Sequence, residues 1–296
     1  MKVINYHQRI KDDEIPLEVT KAKLEADIAL VSTGRFYGEK FFTIHPNVKA
    51  IFSNTTSNQL IDMAFCEKQG IKVFTLEGHE VLQRITATAE WTVALIFLMT
   101  HQIINRVANV HHGRWDRYGC YTPARMLSEM TVGVIGMGRL GRMVGQRLIP
   151  MAKGLTYYDK KLHPDPHVLD NLLKDSDIVT VHIHLEGNEK MFDSKLFKKF
   201  KKGAYFINTS RGEIVNDHAL VMALESGQLA GYAADVLSGE FAPKFDVREH
   251  VLFKYSQLHS NIVLTPHVAG STQSAWEMTE EAILEAIKEF AGGRHD

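Results

Sequence analysis

Three polar residues stand just beyond apolar, β-branched runs in the second half of this chain. Arg211 follows AYFINTS, Glu240 follows GYAADV after a short turn, and His267 follows NIVLTP. In an open α/β sheet, ligands gather beyond the carboxyl ends of the strands, so residues at these places are the ones to weigh for chemistry. Taken singly, each is an ordinary loop residue. Together they supply a cation for a carboxylate, an imidazole that exchanges a proton near neutral pH, and a carboxylate able to orient that imidazole and favour its protonated form. That combination is what interconversion of an alcohol and a carbonyl asks of a protein when a nicotinamide moves the hydride.

A second motif supplies the place for such a cofactor. Thr131 to Leu148, TVGVIGMGRLGRMVGQRL, joins an apolar strand-like run to Gly136, Gly138 and Gly141 and then to a helix. Gly136 suits the tight turn, Gly138 lets backbone N–H groups approach a pyrophosphate, and Gly141 lets the helix pack on its strand. Arg139 and Leu140 open that helix, whose N-terminus favours an anion. The next apolar segment ends at Asp159, 23 positions beyond Gly136, where a carboxylate accepts hydrogen bonds from ribose hydroxyls and disfavours a 2′-phosphate.

These residues need a scaffold of alternating strands and helices. Short apolar segments at Lys2–Tyr6, Ile28–Ser32, Val48–Phe52 and Lys72–Thr75 predict strands in the first hundred residues. From Thr131 the alternation resumes with Thr131–Ile135, Leu155–Tyr158, Ile178–Ile183, Ala204–Ile207, Leu229–Ala233 and Asn261–Leu264. The alternation predicts an α/β fold of two doubly wound parallel-sheet domains. One is a Rossmann nucleotide-binding domain over 99–271. The other is a smaller, discontinuous, flavodoxin-like substrate domain over 1–98 plus 272–296. Ala87–Ala108 lacks Gly and Pro and predicts one long helix linking them, and the amphipathic Ser274–Phe290 predicts a helix returning to the first domain.

Composition sets outer limits. With 296 residues and 45% apolar content, the chain can bury a sizeable core. Its 34 basic and 35 acidic residues give a net charge of −1, so no global field draws it to nucleic acid or an anionic membrane. The two cysteines, Cys66 and Cys120, offer neither a disulfide framework nor a metal motif and suit a reducing cytoplasm. The charged N-terminus MKVINYHQRIKDDE is unlike a signal peptide, and the apolar run Trp91–Met99 is too short to span a bilayer. His182 and His184 would share one face of a strand, but with no third ligand in view no metal is expected.

From about Asn54 to Thr272 the chain resembles the D-isomer-specific 2-hydroxyacid dehydrogenase family. The matching segments are TATAEWTVAL around Glu90, GRW at Gly113–Trp115, VGVIGMGRLG, YYDKK, SDIVTVHIHL, NTSRGEIVN, AGYAADVLSGE and NIVLTPHVAGST. The resemblance implies that Arg211 binds the substrate carboxylate and carbonyl, that His267 is the general acid/base, and that Glu240 hydrogen-bonds His267. It implies NAD as cofactor, with Thr209, Asp235 and His184 among its contacts, and Thr56 and Ser57 beside the substrate. It further implies a homodimer, with Trp115 opening an aromatic, basic arm that runs to Met126. The chain departs from the family at three of these places: Ser57 replaces a glycine, His184 a proline, and Phe241, after Glu240, another proline. The segment HEVLQRITAT, with Arg84, is longer than is usual in the family. The activity implied is NAD(H)-dependent hydride transfer at C2 of a small D-2-hydroxy or 2-oxo acid, running as a reductase. The alternative is a catalytically weak NAD-sensing, partner-binding protein.

Overall fold

The computed structural model describes residues 1–33, 35–115 and 124–293. Cys120 and most of the arm between Trp115 and Met126 lie outside these residues. The chain divides into two compact units, Met1–Ile85 with Thr272–Asp296, and Thr86–Ser271.

In chain order the first unit contains β1 (Lys2–Asn5), β2 (Glu18–Val19), β3 (Ile28–Val31), α1 (Glu39–Ile44), β4 (Ala50–Ser53), α2 (Met63–Gln69) and β5 (Lys72–Phe74). The second follows with α3 (Ala87–Thr100), α4 (Ile103–His111), β6 (Thr131–Ile135), α5 (Arg139–Leu148), β7 (Gly154–Tyr158), α6 (Pro166–Asp175) and β8 (Ile178–Val181). It continues with α7 (Ser194–Phe197), β9 (Ala204–Asn208), α8 (Asp217–Glu225), β10 (Leu229–Ala234), α9 (Val251–Ser256) and β11 (Ile262–Leu264). The chain then returns to the first unit as α10 (Gln273–Ala291).

Both sheets are wholly parallel, with order β2-β1-β3-β4-β5 in the first unit and β11-β10-β9-β8-β6-β7 in the second. The first is the flavodoxin-like 2-1-3-4-5 order. The second shares that start, with its topological switch between β6 and β8, the place where open α/β sheets bind ligands. Parallel strands covered on both faces must be apolar throughout, and β3, β4 and β8 are buried at every residue. In the first unit, α10 sets Ile283 and Ile287 against Val3, Ile28 and Phe52. In the second, α3 sets Leu95, Ile96 and Met99 against Val132, Val134, Ile178 and Ile207.

The expected helix Ala87–Ala108 is two helices. Gln102 adopts a left-handed φ of 52°, which separates α3, ending at Thr100, from α4, starting at Ile103. α3 packs on the second sheet, and the compact units divide ahead of it, between Ile85 and Thr86. The stretch Glu80–Thr100 has the length and composition of a membrane span, but only the 14 residues of α3 form an α-helix within it. At 1.5 Å per residue that is about 21 Å, short of the roughly 30 Å of a bilayer core.

Candidate active site

β6 delivers the chain to the switch point at Gly136, whose φ is 90°. A Cβ there would lie 2.3 Å from the carbonyl oxygen of His182, so both backbone and space demand glycine. Gly138 is the N-cap of α5 and carries no capping side chain. Nothing lies within 4 Å of the point its Cβ would occupy. The N–H groups of the first turn of α5, that of Leu140 among them, point out of the helix N-terminus, where the positive end of the helix lies. This open cradle fits an anionic diphosphate. The half-buried Arg139 guanidinium, lowered from the usual arginine range by burial, lies with Nη1 3.9 Å from Met143 Sδ.

Asp159 ends the neighbouring strand, β7. Its carboxylate accepts hydrogen bonds from the Met137 N–H at 2.8 Å and the Lys161 N–H at 2.9 Å. Burial works to raise this carboxyl. The N–H groups of Met137, Lys161 and Leu162, with the Lys161 charge, outweigh burial and hold it below the usual carboxylate range. Asp159 therefore ties β7 to the middle of the glycine turn as a stable anion, and its oxygens have further lone pairs for ribose hydroxyls.

The other half of the sheet edge carries the proton chemistry. β9, β10 and β11 are adjacent and parallel, so the segments that follow them, bearing Arg211, Glu240 and His267, emerge from the same edge. His267 Nδ1 lies 2.9 Å from Glu240 Oε1, with 37% of the His267 side chain and 13% of the Glu240 side chain exposed. The ring thus points one nitrogen at the carboxylate and leaves Nε2 for another partner. Phe241 tilts against it, ring centroids 5.6 Å apart. Arg211 precedes the short turn Gly212–Ile214, and its Nη1 donates to the Ser210 carbonyl at 2.7 Å.

Asp235, 1% exposed, holds the His267 loop. Its Oδ1 accepts from the Thr265 hydroxyl and from the Val268 N–H at 3.1 Å, and its Oδ2 from the Ala269 N–H at 2.7 Å. Trp91 Nε1 donates to the Thr265 hydroxyl at 3.2 Å. The loop is thereby gripped on both sides of His267, whose own φ is 53°. A left-handed histidine is uncommon and persists where its surroundings over-determine it. Two of its four donors are backbone N–H groups, which leave no signature in the sequence. Thr209 is buried and bonds Thr92 of α3, oxygens 2.9 Å apart.

Other expected residues lie further from this chemistry or in the other unit. β8 ends at Val181, so His182 and His184 sit in the loop beyond it and do not share a strand face. His184 is exposed, its carbonyl accepting from Asn188. His182 is half-buried, its Nδ1 buried without a partner and its Nε2 3.0 Å from the Thr180 hydroxyl. Among the described residues, no group of three or more His, Cys, Asp or Glu gathers as a metal site. In the first unit Thr56 is exposed, and the Ser57 hydroxyl accepts from the Gln59 N–H at 3.2 Å, a local turn bond that a glycine could not make. Arg84 is exposed at the end of a 3₁₀ turn.

Residues 93–269 match the family model described as D-isomer specific 2-hydroxyacid dehydrogenase, NAD binding domain. The chain is 34% identical to a glyoxylate reductase of Thermofilum pendens over 80% of this chain and 70% of that one. It is 30% identical to a D-specific alpha-keto acid dehydrogenase of Enterococcus faecalis over 93% and 86%. The crystal structure of a D-lactate dehydrogenase from Aquifex aeolicus, complexed with NAD and lactic acid, superposes with a TM-score of 0.80 at 22% identity, covering 99% of this chain and 96% of that one. The chain belongs to the D-isomer specific 2-hydroxyacid dehydrogenase family and is an NAD-dependent oxidoreductase acting on CH–OH groups.

Proposed function

We propose that this protein reduces a small 2-oxo acid to the D-2-hydroxy acid at the expense of NADH. NAD(H), when bound, supplies the hydride exchanged at the substrate's C2. Gly136, Gly138, Gly141 and the N–H groups of Arg139 and Leu140 hold its diphosphate. Asp159 takes the ribose hydroxyls, and Thr209, Asp235 and His184 border the rest. Arg211 binds the carboxylate of the acid and polarises its carbonyl. His267, protonated, gives its Nε2 proton to the carbonyl oxygen, and Glu240 holds the ring in place through Nδ1 and stabilises the imidazolium.

The observation that carries this reading is the 2.9 Å pairing of His267 Nδ1 with Glu240, on the sheet edge that also carries the glycine turn. The relatives named glyoxylate reductase and D-specific alpha-keto acid dehydrogenase support small 2-oxo acids as substrates. We further assign the protein to the cytoplasm, in keeping with the buried free thiol of Cys66, and assign it as a homodimer. Ile103, Ile104, Val107 and Val110 share the exposed side of α4, and Trp115 beyond it is 90% exposed, an apolar surface of the kind that partners cover.

The test is NADH oxidation with a panel of glyoxylate, pyruvate, hydroxypyruvate and branched or aromatic 2-oxo acids. Saturable turnover of at least one supports the proposal. NADH binding without turnover of any would overturn it.

A further inference from the structure

The turn that carries Glu240 is clamped at three successive residues by the segment that follows Arg211. A Cβ on Gly212 would lie 2.0 Å from the Leu237 carbonyl carbon and 2.1 Å from the Ser238 nitrogen, so the two backbones touch at this point. One residue on, the Ser238 hydroxyl bonds the Asp217 carboxylate and lies 3.0 Å from His250 Nε2. The Gly239 N–H then donates to Glu213 Oε1 at 3.0 Å. Glu240 comes next, and the Leu237–Glu240 turn closes with the Glu240 N–H on the Leu237 carbonyl.

The polar atoms of this clamp form one consistent chain. His250 Nδ1 accepts the Leu252 N–H at 3.3 Å as the N-cap of α9, so the neutral ring carries its proton on Nε2. Nε2–H then donates to the Ser238 oxygen, and the Ser238 hydroxyl donates to Asp217 at the start of α8. The other groups facing His250 are the Asp217 carboxylate itself, 3.3 Å from Nε2, and the Phe245 ring, with centroids 6.2 Å apart. Although the residue types are those of a hydrolytic triad, the arrangement is not. Serine and carboxylate share one nitrogen while the other caps a helix, so no carboxylate orients the ring from behind. The His250 and Asp217 side chains are largely buried, at 9% and 14% exposure, and a satisfied polar chain in such a setting is stiff.

The geometry points to Ser238, with Asp217, His250 and Glu213, as a positioning cluster for the proton-transfer pair. It locks the turn so that Glu240 faces Nδ1 of His267, and it couples that turn mechanically to the loop bearing Arg211. The inference deepens the oxo-acid reductase reading and rests on it for its catalytic consequence. Its structural content is the Nδ1-protonated tautomer of His267, because a carboxylate on Nδ1 draws the proton of the neutral ring to that nitrogen.

The test measures the tautomer directly. In protein labelled with ¹⁵N-histidine, long-range ¹H–¹⁵N correlations at alkaline pH report which ring nitrogen of His267 carries the proton, with the signal assigned by its loss in His267→Asn. We expect the Nδ1–H form in the wild type, and a shift towards Nε2–H in Ser238→Ala together with a kcat on the best 2-oxo acid about ten- to a hundredfold lower at unchanged NADH Kd. Ser238→Thr restores the hydroxyl and should restore both. Glu213→Ala loosens the same turn without touching the buried trio, and gives the same readout should Ser238→Ala not fold. Wild-type tautomer populations in the folded variants would overturn the inference. If the wild type turns over no 2-oxo acid but the tautomer still shifts, the reductase reading fails and the positioning cluster stands.

Discussion

A Cβ on Gly141 would stand 1.9 Å from the carbonyl oxygen of Gly136, so the first turn of α5 rests directly on the turn that follows β6. Gly138, between them, faces open space. Two alanine substitutions in one motif should therefore fail differently. Gly141→Ala must push α5 off its strand, which costs about 1–3 kcal/mol and lowers the melting temperature. Gly138→Ala should melt like the wild type and bind NADH at least tenfold more weakly, because its methyl occupies the diphosphate approach. Calorimetry and NADH fluorescence titration distinguish the two, and equal stability losses would contradict this division.

The cofactor preference is expected to reside in Asp159. Its charge is held by backbone N–H groups, and charge-assisted hydrogen bonds to ribose hydroxyls contribute roughly 1.5–3 kcal/mol each. The wild type should use NADH in preference to NADPH. Asp159→Asn should narrow the ratio of kcat/KM values about tenfold or more. A wild type that prefers NADPH would contradict the assignment.

His182 predicts a pH dependence of stability. Burial lowers its imidazole from the usual 6.5 to about 4, so between those values the unfolded chain binds a proton that the folded protein refuses. Stability contributed by the neutral ring is complete above about pH 6.5 and is lost as the pH falls towards 4. Between pH 7 and pH 5 this amounts to about 2 kcal/mol. Denaturant melts at the two pH values should show His182→Gln losing that much less than the wild type, and identical losses would mean the ring is not buried neutral.

The apolar side of α4 predicts an oligomer. Val107 is half-exposed, so Val107→Glu should leave the fold intact and convert a dimer into a monomer by light scattering at micromolar concentration. A wild-type monomer would refute the homodimer.

Much of the fold is legible in the sequence, for physical reasons that differ by element. Strands such as Thr131–Ile135 are buried on both faces and read as β-branched runs between turn residues. The glycine turn was legible because steric demands at Gly136 and Gly141 leave few residue choices. The break between α3 and α4 was not, since Gln102 enters the left-handed region with neither Gly nor Pro to announce it. Nor was β2, whose two residues are too few for any period. Arg211, Glu240 and His267 could be picked out by their places after strands. Asp235 is named by the resemblance as a cofactor contact, but its hold on the His267 loop is not legible, because it runs through the backbone N–H groups of Val268 and Ala269. The contacts of Ser238 with Asp217 and His250 are not legible either, since these partners are distant in sequence and are brought together only by α8 and α9.

In the reaction proposed here, His267 moves the substrate proton while the dinucleotide is held elsewhere. The most direct measurement compares His267→Asn with the wild type for NADH oxidation by the best 2-oxo acid and for NADH affinity by fluorescence titration. Loss of a general acid predicts a kcat lower by about 10² to 10⁴, with the NADH Kd changed less than about twofold. Turnover near the wild-type rate, or a loss of activity that merely follows a loss of NADH binding, would contradict the account.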